Sequence, residues 1–381
     1  MKICAIICEY NPFHNGHLYQ INAAKRLSGA DAILCLMSGN FVQRGEAAIF
    51  DKYTRAKHAI KAGADVVIEL PTVFATSNAE LFAKGAVHIL SSIPDVCILS
   101  FGAEKADKTA FLLGARYLNN EPEEVSKNIK EQMQNGVSYA KARAQAFAGF
   151  IPFDLLASPN NILGLEYTRA ILEKNATIDI LPLQRKGAGY SDTNLQEEFS
   201  SATAIRTAVF KGDNVSKQIP DFVAMDIPFA CDCKLDVLEK YAILAKDAKE
   251  IAKICDCNEG LENAFKKAAL ATDSLVTSLT SPRYTSARIR RIALQNLLGI
   301  QESLIRESLQ LPLYLNVLAA KKSRSDVLSA LSQGKFPLLI RAHDETCLDG
   351  VAKICYQADV FAQNVYALLN DKAIGKDIFI D

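Results

Sequence analysis

The sequence predicts an α/β fold: a mostly parallel sheet covered by helices on both faces, followed by a mostly α-helical part. Three observations lead there. Apolar, β-rich runs of about six residues alternate with segments of helical period through the first hundred residues, the pattern of βαβ units. Those runs stay apolar along their length, as strands buried on both faces do. Beyond Ile219-Pro220 strand signals nearly vanish and helical periods dominate.

Taken in order, strands are expected at 3–8, 32–37, 66–70 (ended by Pro71) and 96–101, with helices at 17–27, 52–62 and 79–90 between them. Residues 105–148 read as helical. The string SPNNILG at 158–164 breaks that pattern, and a helix then runs through Glu173. The last strand candidate is 178–183, and a helix opens at 200–210. From Lys234 onward helices are expected throughout, apart from a possible strand at 336–340. A boundary near 212–222 divides the chain into units of residues 1–215 and 216–381, with no internal repeat or low-complexity linker. In a parallel sheet ligands bind outside the carboxyl ends of the strands. That rim carries three loops, at 9–16, 38–46 and 102–107.

Composition narrows the function classes. The chain has 381 residues, 49% apolar and 23% charged, which suits two globular domains. Its 43 basic and 43 acidic side chains cancel, which argues against nucleic-acid binding by bulk charge and leaves a local basic face open. Met1-Lys2-Ile3-Cys4 starts directly on a strand-like run without a signal-peptide pattern. No stretch reaches the roughly 18 apolar residues of a membrane span, so a cytoplasmic protein without a membrane partner is expected. Among the ten cysteines, Cys4, Cys8, Cys35 and Cys97 lie in strand-like runs and read as buried thiols. Cys231-Asp232-Cys233 and Cys255-Asp256-Cys257 offer four thiolates, yet C-x-C departs from the usual zinc spacing. They read as helix-flanking thiols, and no metal site is assigned.

The stretch EYNPFHNGHL, residues 9–18, places His14 and His17 three apart behind the first strand. A bare H-x-x-H fits a metal pair, a solvated turn or a phosphate grip. Pro12 turns the chain out of the strand, and Gly16 lets backbone approach a ligand. A helix beginning at His17 would aim its first N–H groups and positive dipole end at phosphate. Two imidazoles there can donate to phosphoryl oxygens as charge builds on them.

Strand plus NPFHNGH resembles the H-x-G-H signature of the HIGH-type nucleotidyltransferase superfamily, which implies a Rossmann-like domain. That superfamily's second phosphate signature, often S-S-T-x-I-R, resembles Ser201-Ala202-Thr203-Ala204-Ile205-Arg206, which departs from it at Ala202. EYNPFHNGH, MSGNFVQRGE, VIELP, FGAE, SPNNILG and SATAIR, in this order, are similar to strings of one bacterial family, the tRNA(Met) cytidine acetate ligases. Ser281-Pro282-Arg283-Tyr284-Thr285-Ser286-Ala287-Arg288-Ile289-Arg290-Arg291 resembles that family's basic motif.

The resemblance implies a ligase that activates acetate with ATP, as acetyl-adenylate, and acetylates N4 of the wobble cytidine of elongator tRNA(Met). Mg2+ is expected with the ATP. The implied roles put His14 and His17 on the phosphates and Arg206 on the departing pyrophosphate. Implied ATP contacts run along Ile7, Cys8, Glu9, Tyr10, Asn11, Pro12, Phe13, His14, Asn15, Gly16, His17, Leu18, Tyr19 and Gln20, and include Gly102, Asn160 and Arg185. The plainer readings are a turn glycine at 102, a helix cap at 160 and a solvated cation at 185. Asn40, Gln43 and Arg44 suit a small carboxylate, the target base or a structural loop. Lys52 and Arg55 suit phosphate or a solvated helix.

Residues 281–341 hold ten basic side chains against three acidic ones, a footprint for a polyanion in a neutral chain. Arg283, Arg288, Arg290 and Arg291 are the expected RNA contacts, with Arg288 and Arg291 on one helix face and Tyr284 available to stack on a base. Two alternatives stand beside this reading. A small-molecule adenylyltransferase would leave the basic half without a role, and a non-catalytic RNA-binding protein would leave the phosphate motifs without one. The oligomeric state is open.

Overall fold

The computed structural model describes residues 1–137, 139–186, 195, 198–224, 232–370 and 379–380. Its first half alternates as expected: β1 (Ile3–Cys8), α1 (Asn15–Ser28), β2 (Ala32–Ser38), α2 (Lys52–Lys61), β3 (Val66–Leu70), α3 (Ala79–Leu90) and β4 (Val96–Ala103). Shorter helices lead to α4 (Pro159–Glu173), β5 (Asp179–Gln184) and α5 (Ala202–Lys211). Parallel pairing joins β3 to β2, β2 to β1, β1 to β4 and β4 to β5.

Successive residues of these strands pack on opposite faces of the sheet. Ile3, Ala5 and Ile7 belong to one apolar core, while Cys4, Ile6 and Cys8 belong to the other. In β2, Ala32, Leu34 and Leu36 share the first core, and Ile33, Cys35 and Met37 the second. Strands apolar at both parities demand helices on both faces, and α1 and α4 sit on opposite faces. The close seat of α4 explains Gly164: a Cβ there would lie 2.4 Å from Phe101 Cε2. The chain leaves β1 for β2 and β3 on one side, then returns to β4 on the other. Strand order therefore switches beside β1, which places the crevice at the ends of β1 and β4.

The second half, expected to be mostly helical, adds a strand that was not expected. Leu315–Lys321 is a strand, β6, paired antiparallel with β3, and the short strand Phe379–Ile380 extends the same sheet. The expected strand at 336–340 is present as Leu338–Leu339 beside β6. The run Leu-Asn-Val-Leu-Ala-Ala-Lys carries good helix formers, and burial beside β3 overrides that propensity. Residues after 216 thus share the sheet and its cores with residues before 215. Leu294, Ile305, Val365 and Tyr366 join the cluster that holds Ile3 and Leu34. Among the described residues, only the stretch from about Ile243 to Ala293, which contains most of α6 (Ser286–Leu298), keeps a helical core of its own, around Phe265 and Ile289. The final long helix, α7 (Gly350–Asn370), returns to the sheet, where Asp359 accepts the Thr72 N–H at 2.7 Å.

No helix of the described residues is long and apolar enough to cross a membrane. Cys4, Cys8, Cys35, Cys255 and Cys257 are buried free thiols, and burial pushes Cys255 and Cys257 up to about 12. Cys231 lies outside the described residues.

Candidate active site

Helix α1 begins at Asn15, two residues earlier than expected, because His14 itself caps it. The His14 Nδ1 accepts the Gly16 N–H at 3.0 Å, and the His17 Nδ1 accepts the His14 N–H at 3.3 Å. The two rings stack with centroids 3.6 Å apart. Gly16 has a local reason: a Cβ there would lie 2.8 Å from His14 Cε1, so glycine seats the imidazole as well as opening the backbone. Burial, helped by the positive Arg185, holds His14 down at about 3, and burial with His14 and Arg185 holds His17 well below the usual imidazole range. A neutral imidazole whose Nδ1 accepts carries its proton on Nε2. Both rings are therefore fixed as Nε2–H donors at the positive end of a helix.

Helix α5 is capped by Ser201, whose Oγ accepts the Ala204 N–H at 3.0 Å, and Arg206, one turn in, reaches toward the end of β1. The Arg206 guanidinium donates to the Asn11 carbonyl at 2.7 Å and pairs with Glu46 at 3.4 Å. Within the expected 38–46 loop the chain forms a small hairpin, Phe41–Val42 against Glu46–Ala47. Its tip reaches the first strand, for the Gln43 N–H donates to Glu9 Oε1 at 2.8 Å. Burial raises the Glu9 carboxyl, with the Gln43 N–H, Arg206 and Arg55 opposing.

Together these elements enclose a crevice of about 160 Å³ at the ends of β1 and β4. It continues into a smaller recess of about 40 Å³ over the start of α1. Of the expected ATP contacts, Ile7, Cys8, Glu9, Tyr10, Asn11, His17, Gln20, Gly102, Asn160 and Arg185 line the crevice, as does Arg206. His14, Gly16 and Tyr19 line the recess. Phe13 instead supports the site from behind, packing on Tyr10 and His17. Asn15 binds the carbonyls of Glu198 and Lys217, and Leu18 packs in the second core. Pro12 lines neither cavity.

The plainer reading of Asn160 as a cap is not what forms, since its amide donates to Glu104 Oε1 at 2.6 Å. Asn40 lies outside the crevice and accepts the Lys52 N–H at 2.7 Å. Lys52 and Arg55 fit neither of their expected roles. Lys52 is buried against Glu69 at 2.8 Å. Arg55, fully buried, donates to the carbonyls of Glu9, Ser38, Gly39 and Phe50, gathering the ends of β1 and β2. The sequence reading did not single out Phe82, Phe101, Leu163 and Tyr167, which line the crevice together with Thr203 of the SATAIR string. Helical spacing from Asn160 points to Leu163 and Tyr167, three and seven residues on. Phe82 has no such signal.

A larger cleft of about 620 Å³ opens elsewhere, between α3, α4 and the helix Glu302–Ser308. Its charges are largely paired: Lys84 with Glu80 and Glu173, Arg306 with Glu302. It lacks the convergent donors of the strand-end crevice, which is why the crevice is the candidate site.

The basic second half does not form one patch. Lys321 and Arg324 pair with Asp65 at the start of β3, away from the rim. The arginines of α6 and its approach gather differently. Arg283 pairs with Glu259 at 2.9 Å, and Arg288 donates to the Asp256 carbonyl at 2.7 Å. Arg291 lies 3.7 Å from the Asp256 carboxylate. The Tyr284 ring packs against the guanidinium groups of Arg288 and Arg283. Arg290 turns the other way and pairs with Glu46 of the hairpin at 3.0 Å.

Residues 1–378 match the model of the HIGH Nucleotidyl Transferase family. The tRNA(Met) cytidine acetate ligase of Thermoanaerobacter sp. (strain X514) is 38% identical, over 99% of this chain and 98% of its own. That of Acetivibrio thermocellus is 34% identical, over 97% and 95%. Crystal structures of Thermotoga maritima TmcAL, apo and bound with alpha-thio ATP, superpose with TM-scores of 0.90 and 0.89 at 30% identity, each covering both chains fully. A histidine-capped helix start at the switch point of a parallel sheet, in a chain matched along almost its whole length, places this protein in the tRNA(Met) cytidine acetate ligase family of HIGH nucleotidyl transferases.

Proposed function

We propose that this chain activates acetate with ATP and acetylates the wobble cytidine of elongator tRNA(Met). An acetate oxygen attacks the α-phosphorus, the bond to pyrophosphate breaks, and acetyl-adenylate forms. The cytidine N4 then attacks the acetyl carbon, AMP leaves with the anhydride oxygen, and N4 loses a proton to give N4-acetylcytidine. The observation that carries the first step is the fixed pair of Nε2–H donors at the start of α1, beside Arg185 and Arg206. Donors already oriented cost no reorganisation as charge builds on phosphate.

In this reading His14 and His17 hold the phosphates, Arg206 and Arg185 neutralise the leaving pyrophosphate, and Gly102 leaves space beside β4 for the nucleoside. The residues after 216 hold the RNA through Arg283, Arg288, Arg290 and Arg291, so the division at 215 is one of task. A cytoplasmic setting goes with a tRNA substrate. Among the described residues no three His, Cys, Asp or Glu side chains gather to hold a metal ion. A Mg2+ accompanying ATP would rest on the phosphate oxygens and water, and no step here passes through it.

Acetate-dependent exchange of labelled pyrophosphate into ATP tests the activation step. Wild-type protein exchanges label only with acetate present, and His17→Ala lowers the rate about 10²–10³-fold, the usual effect of losing one such donor. Exchange that needs a phosphorylated metabolite instead of acetate, or is unchanged in His17→Ala, contradicts the proposal.

A further inference from the structure

The hairpin between Phe41 and Ala47 stands between the crevice and helix α6, and it touches both closely. On one side Val42, Gln43, Arg44 and Glu46 line the crevice. On the other, Gly45 packs directly on the backbone of α6: a Cβ there would lie 2.6 Å from the Arg290 carbonyl carbon and the Arg291 nitrogen. Gly45 also sits at φ +73°, so the turn tolerates no side chain for two separate reasons. Between these surfaces one carboxylate serves two cations. Glu46 Oε2 pairs with Arg206 at 3.4 Å, and Glu46 Oε1 pairs with Arg290 at 3.0 Å.

We propose that Glu46 is a positioning residue that couples RNA on α6 to the grip of Arg206 on pyrophosphate. This rests on the function proposed above. While Arg290 holds one oxygen of Glu46, the carboxylate is partly neutralised, and Arg206 keeps charge to spare for pyrophosphate. An RNA phosphate that takes the Arg290 guanidinium leaves the whole carboxylate to Arg206. Arg206 then binds pyrophosphate less tightly. The device has a use, because acetyl-adenylate formed before RNA arrives would be retained with its leaving group, and pyrophosphate would depart when the acceptor is in place. Arg206 is about 15% exposed and Arg290 about 33%, so Arg206 is the more sheltered partner and Arg290 the one within reach of a macromolecule.

The test is the KM for pyrophosphate in acetate-dependent ATP–pyrophosphate exchange, measured with and without saturating tRNA(Met) transcript. With wild-type protein the transcript raises that KM about two- to fivefold, the range expected for partly exposed ion pairs. Arg290→Gln reproduces the raised KM without RNA, whereas Glu46→Gln lowers it. In both variants the transcript no longer changes it. A role in folding alone moves both variants the same way, which makes the opposite signs diagnostic. If Glu46→Gln gives no folded protein, Arg290→Gln and its rescue by Arg290→Lys still decide the matter. A KM that shifts equally with RNA in wild type and Arg290→Gln, or that RNA does not change in wild type, overturns the coupling. Absence of acetate-dependent exchange in wild type overturns the activity itself, so the two failures are distinct.

Discussion

Protonating His14 means breaking the bond its Nδ1 accepts from the Gly16 N–H and placing a cation beside Arg185. Burial above all, with Arg185 beside it, makes the folded protein resist that proton down to about pH 3, while the unfolded chain takes it up near 6.5. Stability contributed by the neutral ring is complete above 6.5 and is lost as pH falls from there toward 3, because the unfolded state binds the extra proton first. Urea midpoints measured from pH 7 to 4.5 should fall less steeply for His14→Asn, which can cap the helix without titrating, than for wild type. Equal slopes would contradict the assignment. At this scale the sequence shows that two histidines stand three apart where a helix begins behind the first strand. It does not show their tautomers, which depend on backbone N–H groups that only the folded turn aims at them.

Element by element, the strands and helices of the first half are legible because their apolar runs leave no other solution than a sheet covered on both faces. Strand β6 is not, since its Leu- and Ala-rich run takes its conformation from the β3 edge, more than 240 residues away in sequence. Arg55 teaches the same lesson in one side chain. Its sequence position on a charged helix suggests phosphate or solvent, whereas the structure uses it to donate to carbonyls at the ends of β1 and β2. Arg55→Met keeps much of the volume and removes those donors. It should cost about 3 kcal/mol or more in a urea unfolding experiment, the scale for breaking buried charged contacts. A loss near zero would mean that the strand ends are held by something else.

For the whole molecule, the separation between two tasks is weaker than the sequence suggests. The strand-end crevice and helix α6 share a hairpin, and the second half completes the sheet of the first. The net positive charge of residues 281–341 is real, but the fold spends part of it on Asp65 at the opposite end of the strands. Only three-dimensional placement separates the two groups of cations. Arg283→Glu should weaken tRNA binding and reduce the slope of log affinity against log salt by about one, as loss of one phosphate contact does. Lys335→Glu, at the turn where the Lys335 N–H donates to the Ser92 carbonyl, should change neither. Equal effects of the two would mean that the RNA lies elsewhere.

The most direct test of the account is acetyl transfer from labelled acetate to purified elongator tRNA(Met), with and without ATP, read by nuclease digestion and mass spectrometry. N4-acetylcytidine should appear at the wobble position only when ATP is present. Folded protein that binds the tRNA and yields no acetylcytidine with acetate and ATP would contradict it.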